Sequence, residues 1–230
     1  MATHHDIELG LSDGAGTLAA TVVSPSRPSG AAVLFVHGLG SDRSTNIDRA
    51  NALADTHGTT CLALDLRGHG ASSGSLSQVT PRENLADVVT GFDALLDRDG
   101  VTSSRAGVCA ASYGAYLSVL LSGERAVARL LLRAPALYAD SCVDSTLSQR
   151  RVGSMLESPR FVRLLGALAM PVLLVESEHD EVIAPAVVGT YLAGQPAIER
   201  VVLPGAGHAL TEPAWRADYQ RLLVGFFADL

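Results

Sequence analysis

Short apolar runs alternate with longer amphipathic segments along most of the chain. Each run is rich in Val or Leu and is bounded by Gly, Pro or polar residues, a pattern that predicts buried β-strands. The predicted strands are 31–38, 59–66, 105–112, 129–135, 170–177 and 199–205. Between them, apolar residues recur three and four positions apart, which predicts helices. These helices are expected over 44–57, 82–99, 113–122, 184–194 and 212–229.

Strands that alternate with helices pair in parallel through right-handed crossovers. The pattern therefore predicts an α/β fold with a doubly wound, mostly parallel sheet. The start of the chain differs, because 6–11 and 16–23 are strand-like segments joined by a turn-forming stretch, 12–16. This arrangement predicts an N-terminal antiparallel hairpin at one edge of the sheet. The length suits a single domain over 1–230.

One connection, 136–169, is too long for a tight link between two strands. Long insertions at the strand ends of such a sheet are more often functional than not. We expect a small cap insertion here, partly helical around 154–168.

Composition narrows the function. Hydrophobic residues make up 47% of the chain and charged residues 18%, as expected for strands covered on both faces by helices. The net charge of −7 argues against nucleic acid or an anionic membrane surface as a main partner. All 17 basic residues are arginine, which excludes Schiff-base chemistry, a Ser-Lys dyad and a P-loop lysine.

No cofactor or metal is predicted. Three cysteines are too few and too irregular for a disulfide framework, and His4, His5 and His57 lack metal-ligand spacing. The stretch 38–43 begins like a dinucleotide fingerprint but lacks its third glycine. The N-terminus has no signal-peptide pattern and no apolar run could cross a bilayer, so a cytoplasmic location is expected. The pattern makes no prediction of oligomeric state.

Three predicted strand-end loops carry chemically active side chains. Ligands of open parallel sheets bind beyond the carboxyl ends of the strands, where the sequence places Ser112, Asp180 and His208. Together they are the parts of a nucleophilic site. Ser112 and Asp180 could instead act as helix N-caps. Other acids could replace Asp180, namely Glu176, Glu178, Asp140 and Asp144.

These residues carry a resemblance to a known family. The order Ser–Asp–His, the "HG" after the first parallel strand and the phrases "DLRGHGAS" and "LPGAGHAL" resemble the α/β-hydrolase superfamily. The similarity is to its compact serine-aminopeptidase-like and dienelactone-hydrolase-like members. It implies a serine hydrolase that cleaves small to medium carboxylic esters through an acyl-enzyme on Ser112. His208 would be the base, Asp180 its orienting acid, and the backbone N–H groups of Leu39 and Tyr113 the oxyanion hole.

The segment around Ser112 departs from the usual G-x-S-x-G, because Ala110 replaces the first glycine and only Gly114 is kept. A strained turn with a closely packed helix needs small residues at both positions. Alanine adds one methyl group, so we expect Ala110 to be tolerated and Gly114 to be the stricter requirement. Cys109, inside the preceding strand, is expected to be a core thiol.

Several alternatives stay open from sequence. A peptidase, a thioesterase, a carbon–carbon bond hydrolase or an acyltransferase would use the same three residues, and a non-catalytic binding protein could keep the scaffold. Arg133, at the end of a buried strand, could pair with an acid of the cap or contact the substrate. The apolar residues of the cap could line an acyl pocket or pack the cap onto the sheet: Leu137, Tyr138, Met155, Leu156, Phe161, Val162, Leu164, Leu165 and Leu168.

Overall fold

The computed structural model describes residues 1–11 and 13–230; the turn expected over 12–16 includes Ser12, which lies outside the described residues. In the described part of the chain, eight strands form one sheet in the order β1-β2-β4-β3-β5-β6-β7-β8. Their bounds are β1 Thr3–Gly10, β2 Thr17–Ser24, β3 Ala32–Val36, β4 Thr60–Leu64, β5 Ala106–Ala111, β6 Leu130–Arg133, β7 Val172–Ser177 and β8 Glu199–Leu203.

Strands β3 to β8 pair in parallel, while β1 and β2 form an antiparallel hairpin whose second strand joins β4. Both the mostly parallel sheet and the hairpin at its edge are therefore confirmed. Strands β3 and β4 are buried along their full length, and β5 is buried except at its last residue, which explains why they are continuous apolar runs and do not alternate.

The helices cover both faces of the sheet. One apolar cluster packs α1 and α6 on one face, and a second, larger cluster packs the other four helices on the opposite face. The helix bounds are α1 Ile47–His57, α2 Pro81–Leu96, α3 Tyr113–Leu121, α4 Pro159–Gly166, α5 Pro185–Gly194 and α6 Pro213–Phe226. No helix of the described residues is long and apolar enough to span a bilayer.

Local chemistry sets several helix ends. Thr80 and Glu83 form a capping box at the start of α2, with Pro81 as its first residue. Gly58 ends α1 in a left-handed conformation, φ 67°. The segment predicted to be helical from 44 begins instead as a 3₁₀ turn, Arg43–Asn46.

The strand order reverses direction beside β3. From β3 the chain crosses to β4 through α1 on one face, and from β5 it crosses to β6 through α3 on the other. Loops that leave neighbouring parallel strands toward opposite faces open a crevice between them. The loops after β3 and β5, which carry Leu39 and Ser112, border this crevice.

The cap insertion lies between β6 and β7 and contains α4 and two short 3₁₀ turns, Asp140–Cys142 and Leu147–Gln149. Its helix is shorter than the stretch 154–168 expected from sequence. Stacked and edge-on aromatic pairs join the cap to the helices beneath it: Tyr113–Tyr138, Tyr116–Tyr138, Tyr116–Phe161 and Phe161–Tyr191. Such pairs fasten the cap to the large cluster.

Candidate active site

Ser112 stands between β5 and α3 in a strained conformation, with φ 51° and ψ −115°. A non-glycine residue at positive φ costs on the order of 1–3 kcal/mol and persists only where its surroundings hold it. Here the Ser112 N–H donates to the Arg133 carbonyl at 2.9 Å, and the Ser112 carbonyl accepts from the Ala136 N–H at 3.1 Å. The Ser112 hydroxyl makes no capping hydrogen bond to α3. Ser112 therefore occupies the N-cap position of α3, but its hydroxyl does not cap the helix.

Gly114 permits the close approach of α3 to β3. A Cβ atom at this position would lie 2.5 Å from the His37 carbonyl oxygen and 2.6 Å from that of Val36. Both are backbone atoms that cannot swing aside. Ala110 is accommodated in the buried interior. The expectation that Gly114 is the stricter of the two positions agrees with this packing.

Asp180 and His208 meet across two strand-end loops. The His208 Nδ1 atom lies 2.9 Å from Asp180 Oδ2 and 3.0 Å from Oδ1. The Asp180 carboxylate also accepts the N–H groups of Val182 at 2.9 Å and Ile183 at 2.7 Å. Burial alone would raise the pKa of Asp180, but the hydrogen bonds from His208 and the two N–H groups outweigh it and lower the pKa. Asp180 is therefore held as a carboxylate against the imidazole.

The four rival acids have other partners. Glu176 pairs with Arg200, and Asp144 pairs with Arg82. Glu178 accepts the Gly205 N–H at 2.6 Å, and Asp140 accepts the Arg160 N–H at 2.6 Å. Among the described residues, Asp180 alone forms a hydrogen bond with the His208 ring. Because α5 begins at Pro185 with Ala184 as its N-cap, the N-cap alternative for Asp180 is wrong.

The loop that carries His208 is anchored by a residue that the sequence did not single out. Glu181 accepts the His208 N–H at 3.0 Å, and the His179 N–H donates to the Ala206 carbonyl at 2.8 Å. The backbone of the loop is thus fixed from the neighbouring strand end. An exposed glutamate that bonds a backbone N–H leaves no trace in a sequence pattern, which is why Glu181 was missed.

Ser112 and His208 line one cavity of about 480 Å³. With Nδ1 engaged by Asp180, the Nε2 atom of His208 is the ring nitrogen left for a second partner. The hydrogen bonds of the described residues do not include one between Ser112 and His208. Catalytic hydrogen bonds are often long before substrate binds and tighten in the complex.

The two residues predicted to supply oxyanion donors, Leu39 and Tyr113, belong to the loop after β3 and to the start of α3. Tyr113 is the first residue of α3, so its N–H has no partner within the helix. Leu39 lies in the loop after β3 and lines the cavity. His37 holds this loop, because Nδ1 donates to the Gly38 carbonyl at 2.7 Å and Nε2 accepts the Leu66 N–H at 3.1 Å. Burial lowers the pKa of His37 to about 4, which keeps the ring neutral.

The cavity does not extend under the cap. Its walls come from the loop after β3, the start of α1, Arg133, α6 and the turn between β5 and α3 that carries Ser112, which we call the elbow. None of the nine apolar cap residues lines it; Leu137, Tyr138, Phe161 and Leu165 are buried in the large cluster, whereas Met155 and Leu156 are exposed. The expectation of an acyl pocket in the cap is therefore wrong for this cavity, and the packing alternative holds for the buried residues.

Arginines supply most of the charged groups that line the cavity. Arg49, Arg133, Arg216 and His208 line it, while Asp48 is the one acidic residue among the described lining residues. Cys109 lies on the floor, 3.3 Å from the Tyr219 hydroxyl, and burial raises the pKa of its thiol to about 11. Cys109 is a buried thiol and no nucleophile. The sequence analysis missed Arg49, Arg216 and Tyr219. These residues are far from Ser112 in sequence, and they lie on helices whose only sequence signal is an amphipathic pattern.

A buried polar network supports the start of α3. The Tyr113 hydroxyl donates to Asn84 Oδ1 at 3.0 Å, and Asn84 donates to Asp87 Oδ2 at 3.0 Å. Asp87 accepts Arg67 Nε at 2.8 Å, and Arg67 pairs with Asp13 at 2.7 Å. The network ties the loop after β4 to α2 and to the helix that follows Ser112. Arg67 is buried and is not among the residues that line the cavity, so the network is a structural support.

Comparison with known proteins places this architecture. The chain resembles an esterase from Pyrococcus furiosus (TM-score 0.76, 18% identity, 98% of this chain and 90% of that one). It also resembles a predicted CIB-like hydrolase from Thermoplasma acidophilum (TM-score 0.72, 17% identity, 100% of this chain and 100% of that one). A third similar structure is a thioesterase domain from the curacin biosynthetic pathway (TM-score 0.72, 15% identity, 97% of this chain and 99% of that one). No curated protein sequence matches the chain.

The fold and its elbow define the class as that of the α/β hydrolases. The sequence model for serine aminopeptidase, S33, matches residues 27–157, more than half of the chain. The chain belongs to this family. The matched region contains Leu39, Ser112 and Tyr113, whereas Asp180 and His208 follow it.

Proposed function

We propose that the protein is a serine hydrolase that cleaves carboxylic esters through an acyl-enzyme on Ser112. One observation carries the proposal: His208, whose ring is paired with Asp180, lines the same cavity as a serine held at φ 51°. Strain at a residue with no capping role, beside a carboxylate-oriented imidazole, matches an activated nucleophile. The Pyrococcus furiosus esterase has the same fold.

The steps follow from the positions of the side chains. His208 Nε2 takes the hydroxyl proton as Ser112 Oγ attacks the ester carbonyl, and Asp180 stabilises the imidazolium through Nδ1. The N–H groups of Tyr113 and Leu39 bind the oxyanion of the tetrahedral intermediate. The intermediate collapses, the alcohol leaves with the proton from His208, and Ser112 stays acylated. Water, deprotonated by His208, then attacks the acyl group and releases the carboxylic acid.

The charges of the cavity favour an ester over a peptide with a free N-terminus. An aminopeptidase substrate brings an ammonium group, which needs an acidic partner to offset its desolvation. Three arginines and one acidic residue, Asp48, are among the described residues that line this cavity. The family name therefore does not carry over to the proposed substrate. A location in the cytoplasm and a small-molecule ester as partner remain predictions of the sequence.

A fluorophosphonate probe tests the nucleophile, and a substrate panel tests the reaction class. We expect the probe to label the peptide that contains Ser112 in the folded protein. Hydrolysis of p-nitrophenyl esters is expected to exceed that of matched thioesters and aminoacyl amides, and Ser112→Ala is expected to lower it by roughly 10⁶-fold. Ser122→Ala, at the far end of α3, is the matched control and should keep wild-type rates.

Absence of labelling in protein shown to be folded by circular dichroism would support the binding-protein alternative. Wild-type hydrolysis by purified Ser112→Ala would place the nucleophile elsewhere. Faster cleavage of thioesters or of aminoacyl amides would replace the ester in the proposal with that substrate class.

A further inference from the structure

Arg133 is a buried cation without an acidic partner. It is 9% exposed at the end of β6. Its one side-chain hydrogen bond in the described chain is donated by Nη1 to the Ser177 hydroxyl at 3.5 Å, and no carboxylate lies within 4.0 Å of the guanidinium among the described residues. A guanidinium carries five N–H donors, so most of its hydrogen-bonding capacity is unused. The alternative of an ion pair with a cap acid is thereby wrong.

The neighbouring charges do not compensate for this cation. Asp180 attracts it from beyond 4.0 Å, but that carboxylate is occupied by His208 and by two backbone N–H groups. Arg49 lies over the Tyr219 ring, 5.1 Å from its centroid, and adds like charge to the same wall. Burying an unpaired charge is costly, and structures usually pair or neutralise it.

Arg133 is also placed beside the nucleophile. Its Cα is the register partner of Ala111 on the adjacent strand, and its carbonyl accepts the Ser112 N–H at 2.9 Å. The side chain lines the cavity that Ser112 and His208 line. A substrate group bound by Arg133 would therefore lie within the same cavity as the carbonyl that Ser112 attacks.

We propose that this cavity binds a carboxylate of the substrate on Arg133, so that the preferred substrate is an ester with a free carboxylate a few bonds from the ester carbonyl. The inference rests on the proposed esterase function and adds its substrate class. A planar guanidinium matches the two oxygens of a carboxylate in a bidentate pair. Arg49 and Arg216 donate to the carbonyls of Thr45 and Thr211 and are less buried than Arg133. Arg133 is therefore the one buried guanidinium among the described lining residues, which favours a singly charged anion.

Two substrate pairs test the proposal and separate the two possible positions of the carboxylate. Monoethyl glutarate against its amide, ethyl glutaramate, probes an anion on the acyl side. The acetate ester of 3-hydroxypropionate against the corresponding amide probes the alcohol side. Each pair differs in charge and is nearly equal in shape. We expect kcat/KM to favour the acid by at least about tenfold in one of the pairs, as a charge-assisted hydrogen bond would give.

The variants Arg133→Gln and Arg221→Gln identify the binding group. Arg221 lies on α6, a helix that contributes residues to the cavity, but it is exposed and paired with Asp218 and does not line the cavity. We expect the acid-to-amide ratio to fall to near one in Arg133→Gln and to stay at the wild-type value in Arg221→Gln. An unchanged ratio in Arg133→Gln would overturn the proposal. An equal loss for acid and amide would also overturn it, since Arg133 would then act through Asp180 and His208.

Binding of monoethyl glutarate to Ser112→Ala gives a readout that needs neither turnover nor a folded Arg133 variant. Calorimetric titration at fixed ionic strength should show binding of monoethyl glutarate and none of ethyl glutaramate. Binding of neither compound, or of both equally, would contradict the inference. Failure here together with fluorophosphonate labelling of Ser112 in wild type would leave the esterase proposal standing and remove only the carboxylate.

Discussion

A single hydrogen atom at position 114 sets how closely α3 approaches β3. Gly114→Ala would place a methyl group against the carbonyls of His37 and Val36, at 2.5 and 2.6 Å. The helix must then move outward and take Ser112 with it. We expect a loss of about 1–3 kcal/mol in the free energy of unfolding and a marked loss of fluorophosphonate labelling, measured by urea unfolding and by labelling rate.

The matched control is Gly189→Ala in α5, where an added Cβ meets no atom within 4 Å. Alanine in an open helical position is expected to raise the free energy of unfolding by about 0.5–1 kcal/mol. Equal effects of the two substitutions would show that the approach at position 114 is not the constraint.

The Asp180 carboxylate can be tested without a change of shape. Asp180→Asn keeps the volume but turns an acceptor into a group that cannot hold the same His208 tautomer. We expect kcat to fall by roughly 10³–10⁴-fold, as in triads where the acid is replaced by its amide. Glu181→Gln is the comparison, because Glu181 binds only the His208 backbone N–H. A larger loss in Glu181→Gln than in Asp180→Asn would exchange the roles of the two acids.

The buried network of Arg67 joins three elements that lie apart in sequence. Removal of one partner leaves a buried charge uncompensated, which typically costs 3–5 kcal/mol. Arg67→Met should therefore lower the free energy of unfolding by about that amount, because Asp87 is fully buried. Arg125→Met removes a half-exposed pair with Asp93 and should cost about 0–1 kcal/mol. Urea unfolding measures both, and similar losses would show that the network is not a support of the fold.

The elements were predictable because the buried strands are short continuous apolar runs and the helices repeat apolar residues three and four positions apart. The apolar runs became β3 to β8, and the tight corner at 110–114 gave the elbow. The cap was harder, since an apolar residue such as Phe161 gives the same signal whether it lines a pocket or packs on Tyr191. Only the three-dimensional arrangement shows that the cavity opens toward α1 and α6, whose residues Arg49 and Tyr219 are separated by most of the chain.

The molecule as a whole is acidic, yet its candidate active site is basic. A net charge of −7 coexists with a cavity lined by three arginines and one aspartate. Net charge reports on the surface and on non-specific partners, so it gave no hint of a cavity lined by arginines. Arg133 was visible in the sequence as an oddity, but its lack of an acidic partner is a property of the packed structure.

The stability of the whole molecule should depend on pH through His37. Burial lowers its pKa from 6.5 to about 4, so the unfolded chain binds a proton between these values that the folded chain does not. Stability is therefore complete above pH 6.5 and is lost as the pH falls toward 4, by roughly 3 kcal/mol. The lowered pKa of Asp180 acts below this window, because its contribution is lost only as the pH falls below the usual carboxylate range.

Urea unfolding of wild type and His37→Gln from pH 7 to pH 4 isolates this contribution. The glutamine variant starts from a lower free energy of unfolding, since it loses two hydrogen bonds of the ring to the backbone. Its plot of unfolding free energy against pH should have a smaller slope, by the equivalent of about one bound proton. His5→Gln, on the exposed strand β1, should keep the wild-type slope. Parallel curves for wild type and His37→Gln would mean that the ring is protonated in the folded protein. The donor–acceptor pair that holds the loop of Leu39 would then be lost, because both ring nitrogens of a protonated histidine donate.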